Sequence, residues 1–400
     1  MPLPVPVGVY LHVPFCRVRC PYCSFNVYTR RGHLADAYVD ALHAELKLRA
    51  SDLPAGAVVD TIYLGGGTPT LLSPEALAGL VRGVAEVLPI VDAPEITVET
   101  EPGTTDAGTF AALRSFATRV TVGVQSFDDD ALQRIGRPHD AATARVALAD
   151  ARAAGFDNID LDLMFGLPGQ DLDGWLDDLR AAVDTGVAHL SLYNLTVEPH
   201  TTFATALRKG RLQLPDEDGQ AAMLRAALQI CGKAGLEHYE TSNFARPGFR
   251  SRHNQGYWTG RPYLGLGAGA HGFLPHHGAF GLRWWNHKPP QRWIDSVAQG
   301  ERPEGGREEL DRAGAILEAV MLGLRQRDGL ARGPFADRFG FDPVERLGPA
   351  GRRLVDAGLI AIDPDCLKLT EGGVILTDSI TETVARQLDT GQGSDNLNPW

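Results

Sequence analysis

Six short apolar runs recur along the first half of the chain, at Val7–Val13, Thr61–Gly65, Glu95–Glu101, Arg119–Gln125, Asn158–Phe165 and His189–Leu195. Several are rich in β-branched residues and most close on turn-forming ones, which predicts strands. The stretches between them repeat at a helical period. Leu34, Tyr38, Leu42 and Leu46 recur every four residues and mark one face of a helix. Further helical patterns follow Ser73, Thr105, Asp140 and Asp171, residue types that cap helix N-termini. Six βα units in about 190 residues predict a parallel sheet, either curled into a barrel or open and doubly wound. An amphipathic helix over 216–234 follows, with Cys231 in it as a small buried hydrophobe. The stretch Tyr263–Gly272 has the composition of a flexible glycine-rich loop, and Gly300–Gly306 that of a Pro/Gly/Glu linker. Helical patterns over Leu310–Arg325 and Val344–Gly358 precede two short strand-like runs, 359–362 and 366–370. Together these predict a small α+β, winged-helix-like C-terminal domain. The resulting division is 1–240 for the barrel, 241–300 for a segment completing it, 307–385 for the C-terminal domain and 391–400 for a disordered tail.

Chemistry concentrates near the start. Three of five cysteines, Cys16, Cys20 and Cys23, form C-x3-C-x2-C directly after the first strand. Three thiolates within eight residues suit an iron–sulfur cube with one iron left open. Zinc and a disulfide are the competing readings. Zinc usually takes four ligands from two knuckles, and a second C-x2-C is lacking; a disulfide is at odds with a chain that shows no export signal. In a parallel βα barrel, functional groups gather at the carboxyl ends of the strands. The second strand ends in Gly65-Gly66-Gly67-Thr68-Pro69, where missing side chains let backbone approach a ligand; a tight turn needs the same residues. Glu99 and Glu101 share one face of the third strand, as ligand contacts or as a solvated strand end. Arg137 follows the fourth strand and could equally pair with a carboxylate at a helix end. Asp162 lies in an apolar run, where an unpaired carboxylate is costly; a ligand, with Arg137 as charge partner, would account for it. His253 sits among aromatic residues, which fits a satisfied core histidine as well as an axial haem ligand.

Net charge is −12, so the chain as a whole lacks the basic footprint of a nucleic-acid binder. The N-terminus has neither a basic n-region nor an apolar stretch of signal-peptide length, and no run approaches the roughly 18 apolar residues of a membrane span. A cytoplasmic protein is expected.

The cysteine motif, with Tyr22 before its last cysteine, resembles the radical S-adenosylmethionine (SAM) superfamily. The flanking Tyr10, His12, Pro14 and Phe15, the Gly65–Pro69 turn, Gly123-Val124-Gln125-Ser126-Phe127 and Asp162-Leu163-Met164-Phe165-Gly166-Leu167-Pro168-Gly169-Gln170 resemble one branch of it. That branch comprises oxygen-independent coproporphyrinogen III oxidases and HemW-type haem chaperones, and the resemblance covers nearly the whole chain. It implies a partial (β/α)6 TIM-type barrel. It implies a 4Fe–4S cluster on Cys16, Cys20 and Cys23, with SAM chelating the open iron. Tyr10, Tyr22, Gly66, Gly67, Thr68, Glu99, Gln125, Arg137, Asp162 and Thr196 are its implied SAM contacts. His253, Asn254 and Tyr257 match an H-N-x-x-Y pattern associated with haem in the chaperone group.

Two departures separate the chaperone group from the oxidases within this resemblance. The oxidases carry a fourth cysteine two residues after the third, where Phe25 stands here. They also carry a long N-terminal extension over the substrate, and only nine residues precede Tyr10 here. The expectation is therefore a protein that binds haem and hands it to acceptor proteins, with respiratory enzymes at the membrane and a homodimer among its possible associations. Radical decarboxylation of coproporphyrinogen III, in porphyrin biosynthesis, is the alternative.

Overall fold

The computed structural model describes residues 4–389, so the expected tail at 391–400 lies outside the described residues. Six strands follow the expected runs: β1 (Val5–Val13), β2 (Ala57–Gly66), β3 (Ile90–Thr100), β4 (Arg119–Gln125), β5 (Ile159–Phe165) and β6 (His189–Asn194). Each pairs in parallel with the next. The helices between them start where capping predicts. Ser73, Asp140 and Asp171 each accept a backbone N–H of the first turn. The cap expected at Thr105 is Asp106, whose carboxylate accepts from Thr109 N and Oγ1.

β6 does not close on β1. It continues into the antiparallel β8 (Asn243–Ala245), beyond which lies β7 (Glu237–His238). On the other side β1 pairs in parallel with β9 (Tyr263–Leu266), then β10 (His271–Leu274), β11 (Leu282–Asn286) and β12 (Glu304–Glu309) follow antiparallel. The twelve-stranded sheet thus runs β12-β11-β10-β9-β1-β2-β3-β4-β5-β6-β8-β7. The glycine-rich stretch is therefore not a flexible loop. A Cβ on Gly265 would collide with the His271 carbonyl, and one on Gly272 with the Trp284 ring, so its glycines permit close strand packing. Part of the expected linker is likewise a strand: β12 begins at Glu304 and pairs with β11.

The sheet alternates strictly. Val9, Leu11, Ile62, Leu64, Ile96, Val98, Val120, Val122, Leu161, Leu163, Leu190 and Leu192 are buried in one core with the helices, including Leu42, Leu46, Leu77, Val84 and Leu179. Each such side chain contributes about 1.5–3 kcal/mol when fully buried. The opposite positions are polar: Tyr10, His12, Thr61, Tyr63, Glu95, Thr97, Glu99, Arg119, Thr121, Asp160, Asp162, His189 and Ser191. A barrel interior filled this way is a hydrogen-bonded lumen. The helix Arg252–Trp258 packs against β1 and β2 on this face. Its first N–H groups are held by Glu95, which accepts from Arg252 N and His253 N at 2.9 Å each.

A second core, with Ile316, Val320, Leu324, Phe335, Leu367, Ile380 and Val384, gathers the C-terminal elements. These include the helices Arg312–Leu324, Gly348–Asp356 and Thr377–Asp389 and a three-stranded antiparallel sheet of Leu330–Ala331, Cys366–Leu369 and Ile360–Ile362.

Candidate functional site

Because β1 to β6 run in parallel, the segments that leave them emerge at one end of the lumen. The cysteine loop leaves β1, the glycine turn leaves β2, Glu101 follows β3, Gln125 ends β4 and Arg137 follows it. The first two are pinned together: Gly67 N donates to Val13 O at 2.9 Å and Thr68 N to Phe15 O at 2.8 Å. Cys16, Cys20 and Cys23 are half-buried free thiols. Thr68 Oγ1 donates to Cys16 Sγ at 3.8 Å and Arg137 Nη1 to Cys20 Sγ at 3.7 Å. Burial pushes the Cys16 thiol up to about 11, a rise that the Thr68 bond moderates. Burial raises Cys23 as well. Iron bound to these sulfurs would hold them as thiolates, with Thr68 and Arg137 as hydrogen-bond donors to them. Among the described residues no group of three or more His, Cys, Asp or Glu side chains is arranged around a single metal ion; a cube, whose irons take one thiolate each, has no such requirement.

The glycine turn is a cradle. Gly66 sits at φ +109°, and a Cβ there would overlap the His12 ring; one on Gly65 would lie 2.7 Å from Glu99 Oε1, and one on Gly67 2.7 Å from the Phe15 carbonyl. His12 is itself fixed, by Tyr10 OH at Nδ1 (2.9 Å) and Asn26 O at Nε2 (3.0 Å). Gly66→Ala is therefore expected to destabilise the fold by at least about 1–3 kcal/mol from backbone strain alone and to weaken SAM binding. Thermal unfolding and equilibrium dialysis of SAM read the two effects.

Glu99 accepts from Gly66 N and Tyr63 OH, both at 2.8 Å, and burial raises its pKa. Glu101 pairs with Arg137 at 3.0 Å and accepts from Thr68. Arg137 also donates to Gly123 O at 3.0 Å, while its Nε has no partner. Gln125, at φ +70°, sits at a register shift of β4, and its side chain turns back over Gly123 beside Arg137. Arg137 is thus the partner of Glu101, not of Asp162. The expected pairing fails because the guanidinium is already committed to Glu101, Gly123 O and Cys20 Sγ, while Asp162 stands on β5 level with Gly123 and Ser191. Asp162 Oδ1 has no partner, and burial, then Asp160 and Glu99 nearby, raise its pKa. Tyr22 packs over Phe203, with ring centroids 6.3 Å apart. Thr196 lies past the end of β6 and is exposed.

The three thiols, the glycine cradle, the open carboxylate of Asp162 and the free Nε of Arg137 fit a cluster with a small polar ligand bearing amine, carboxylate and hydroxyl groups. Glu101 enters this set through Arg137. His12 and Tyr63 enter it through strand alternation with Tyr10 and Gly65, a signal present in the sequence.

His253 lies lower in the lumen and is 3 % exposed. Thr61 Oγ1 bonds its Nδ1 at 2.8 Å and Tyr257 OH its Nε2 at 2.9 Å. Burial, with Arg261 and Arg119, lowers its pKa to about 3, so the ring is neutral. Asn254 is half-buried, and its N–H donates to Ser251 Oγ.

A parallel six-strand partial barrel with three cysteines on its first loop and a glycine cradle on its second defines a radical SAM protein. The model of the Radical SAM superfamily matches residues 10–182, and that of the HemN C-terminal domain matches residues 310–376. The fold is similar to that of coproporphyrinogen III oxidase (HemN) from Escherichia coli, with a TM-score of 0.80 at 24% identity over 96% of this chain and 90% of that one. Heme chaperone HemW from Mycobacterium tuberculosis (strain ATCC 25618 / H37Rv) is 39% identical over 387 residues, 95% of both chains. Heme chaperone HemW from Bacillus subtilis (strain 168) is 36% identical over 376 residues, 93% of this chain and 97% of that one. The chain belongs to the HemW family of the radical SAM superfamily.

Proposed function

We propose that this chain is a haem chaperone: it binds haem, carries a SAM-ligated 4Fe–4S cluster and passes haem to acceptor proteins. The observation that carries the reading is the kinship with heme chaperones along 95% of both chains. Phe25 supports it, standing 65% exposed where the oxidases of the resemblance have a cysteine. Cys16, Cys20 and Cys23 hold the cluster, which supplies an iron to chelate SAM and a store for one electron. Gly66, Gly67 and Thr68 present backbone to the methionine end of SAM, Glu99 and Asp162 accept from its hydroxyls, and Arg137 orients the Cys20 sulfur while neutralising Glu101. The protein acts in the cytoplasm, and respiratory enzymes at the membrane are acceptors. No helix among the described residues is long and apolar enough to cross a membrane. A homodimer is the assembly we assign to it.

The haem ligand in this reading is His253, with Asn254 and Tyr257 alongside. The neutral imidazole is the form that ligates iron, and to do so it gives up the hydrogen bond to Tyr257. Anaerobic titration of the reconstituted protein with haem, beside an assay of coproporphyrinogen III with SAM and dithionite, tests the function. Stoichiometric haem binding without decarboxylation is expected; conversion to protoporphyrinogen would replace the chaperone with an oxidase. His253→Ala is expected to weaken haem binding at least tenfold, and unchanged affinity would remove His253 as ligand.

A further inference from the structure

The face of the sheet that lines the lumen continues past the parallel strands, onto β9, β10 and β11. Tyr10 of β1 is level with Gly265 of β9, Gly265 touches His271 of β10, and His271 stands opposite Trp285 of β11. The His271 and Trp285 rings stack with centroids 6.0 Å apart and planes 29° from parallel. Trp285 in turn leans over Gly306 of β12, where a Cβ would overlap its ring. With a glycine on either side, the two rings stand on a bare strip of sheet three strand spacings wide, on the order of 14 Å. The next aromatic pair towards the C-terminal domain, Tyr263 and Phe273, is packed into the second core, whereas His271 is exposed. His12, His189 and His253 each hold a partner on both ring nitrogens. Neither nitrogen of His271 has a hydrogen bond or ion pair among the described residues. Partial burial, then Arg283 and Lys288, lower its pKa, so the ring is neutral and has a lone pair to give. Arg283 is committed to Glu318 and Glu308. Lys288 is exposed and forms no ion pair among the described residues. An open imidazole, an aromatic edge and a free cation on a flat strip suit a planar, anionic metal macrocycle.

We propose that haem lies over this strip, with His271 as an exposed axial ligand to its iron, Trp285 against the macrocycle and Lys288 on a propionate. This rests on the haem-chaperone reading above and adds to it a ligand on the open face. His253, 3 % exposed and bonded to Thr61 and Tyr257, is closed off until those bonds break, so haem arriving from solvent meets His271 first. An imidazole that ligates iron stands across the haem plane. Trp285, nearly parallel to it, therefore meets the macrocycle edge-on, a favoured aromatic geometry. The imidazole lone pair enters one axial position of the iron and a water leaves it; no electron or proton is transferred.

The test titrates the reconstituted protein with ferric haem, read by absorbance and electron paramagnetic resonance. Wild-type protein comes first; absence of haem binding there would overturn the chaperone reading itself and not merely this ligand. Given binding, His271→Ala is expected to weaken it at least about tenfold and to change the axial-ligand spectrum. Circular dichroism should stay the same, because the ring has no hydrogen bond to lose. Free imidazole added to this variant should restore the wild-type spectrum, a rescue that a packing role does not predict. Lys288→Glu should weaken binding and leave the spectrum as it is. His253→Ala should still show a histidine-ligated form, held by His271. Unchanged affinity and spectrum in His271→Ala would overturn the proposal. So would a loss that imidazole fails to restore, or the disappearance of all haem binding in His253→Ala.

Discussion

Cys20→Ser is expected to leave a folded protein without its cluster. Cys20 lies at the tip of the loop, half-buried, with Arg137 Nη1 3.7 Å from its sulfur. A serine hydroxyl is a poor substitute for the thiolates that iron–sulfur clusters take. Once the cluster is lost, Arg137 keeps Glu101 at 3.0 Å and Gly123 O at 3.0 Å, so the surrounding loops remain in place. Iron content should fall to background and the cluster absorbance should vanish, with the circular dichroism spectrum unchanged. SAM affinity should fall further than the roughly 10–100-fold that follows loss of an outer-shell partner. A variant that retained full iron and SAM binding would show that a different ligand set holds the cluster.

Arg119→Met should have the largest effect on stability. Arg119 is 1 % exposed at the floor of the lumen, and its Nη2 pairs with Asp160 Oδ2 at 2.8 Å. Asp160 also accepts from Ser191, and His189 bridges it to Tyr239 OH, with Nδ1 2.7 Å from Asp160 and Nε2 2.8 Å from the phenol. Removing one member of a buried pair leaves the other uncompensated, at about 3–5 kcal/mol. Burial alone would raise the Asp160 carboxyl; His189 and Arg119 beside it, and the bonds from His189 and Ser191, overcome this and hold it well below the ordinary range. A depressed carboxylate stabilises the fold above its unfolded value near 3.9, and that contribution is lost as pH falls through the folded value. Without Arg119 one of the charges that opposes the burial of Asp160 is gone, so its carboxyl rises in the variant and taking up a proton relieves the uncompensated charge; denaturant titrations from pH 7 to pH 3 should therefore show a deficit in Arg119→Met that narrows towards acid. A constant deficit would mean that Arg119 acts through packing alone.

Much of this arrangement was legible in the sequence because two periodicities coexist in it. The apolar half of each strand announces the outer core, and the spacing of caps such as Ser73, Asp140 and Asp171 announces the helices that cover it. The cysteine motif and the glycine turn carry the mouth of the lumen in short contiguous runs. What the sequence hides is pairing across strands. Arg137 and Asp162 have complementary charge and the right burial, but Arg137 lies on the loop after β4 and pairs with Glu101. The Arg119–Asp160–His189–Tyr239 chain spans 120 residues and becomes visible only when β4, β5, β6 and the segment before β8 are laid side by side. Tyr263–Gly272 hides its strands because close strand packing and loop flexibility use glycine for opposite purposes.

The far edge of the twelve-stranded sheet has a consequence for handling the protein. β12 is the outermost strand on its side, and its residues Glu304, Gly305, Gly306, Arg307, Glu308 and Glu309 carry four charges in six positions. An exposed strand edge offers a row of backbone donors and acceptors that another chain can extend, the usual route to aggregates. Arg307, Glu308 and Glu309 are exposed, and charged side chains on an edge must give up water before another strand can pair with it. The strand therefore acts as a stop: it ends the sheet electrostatically and keeps concentrated protein from growing by strand addition on that side.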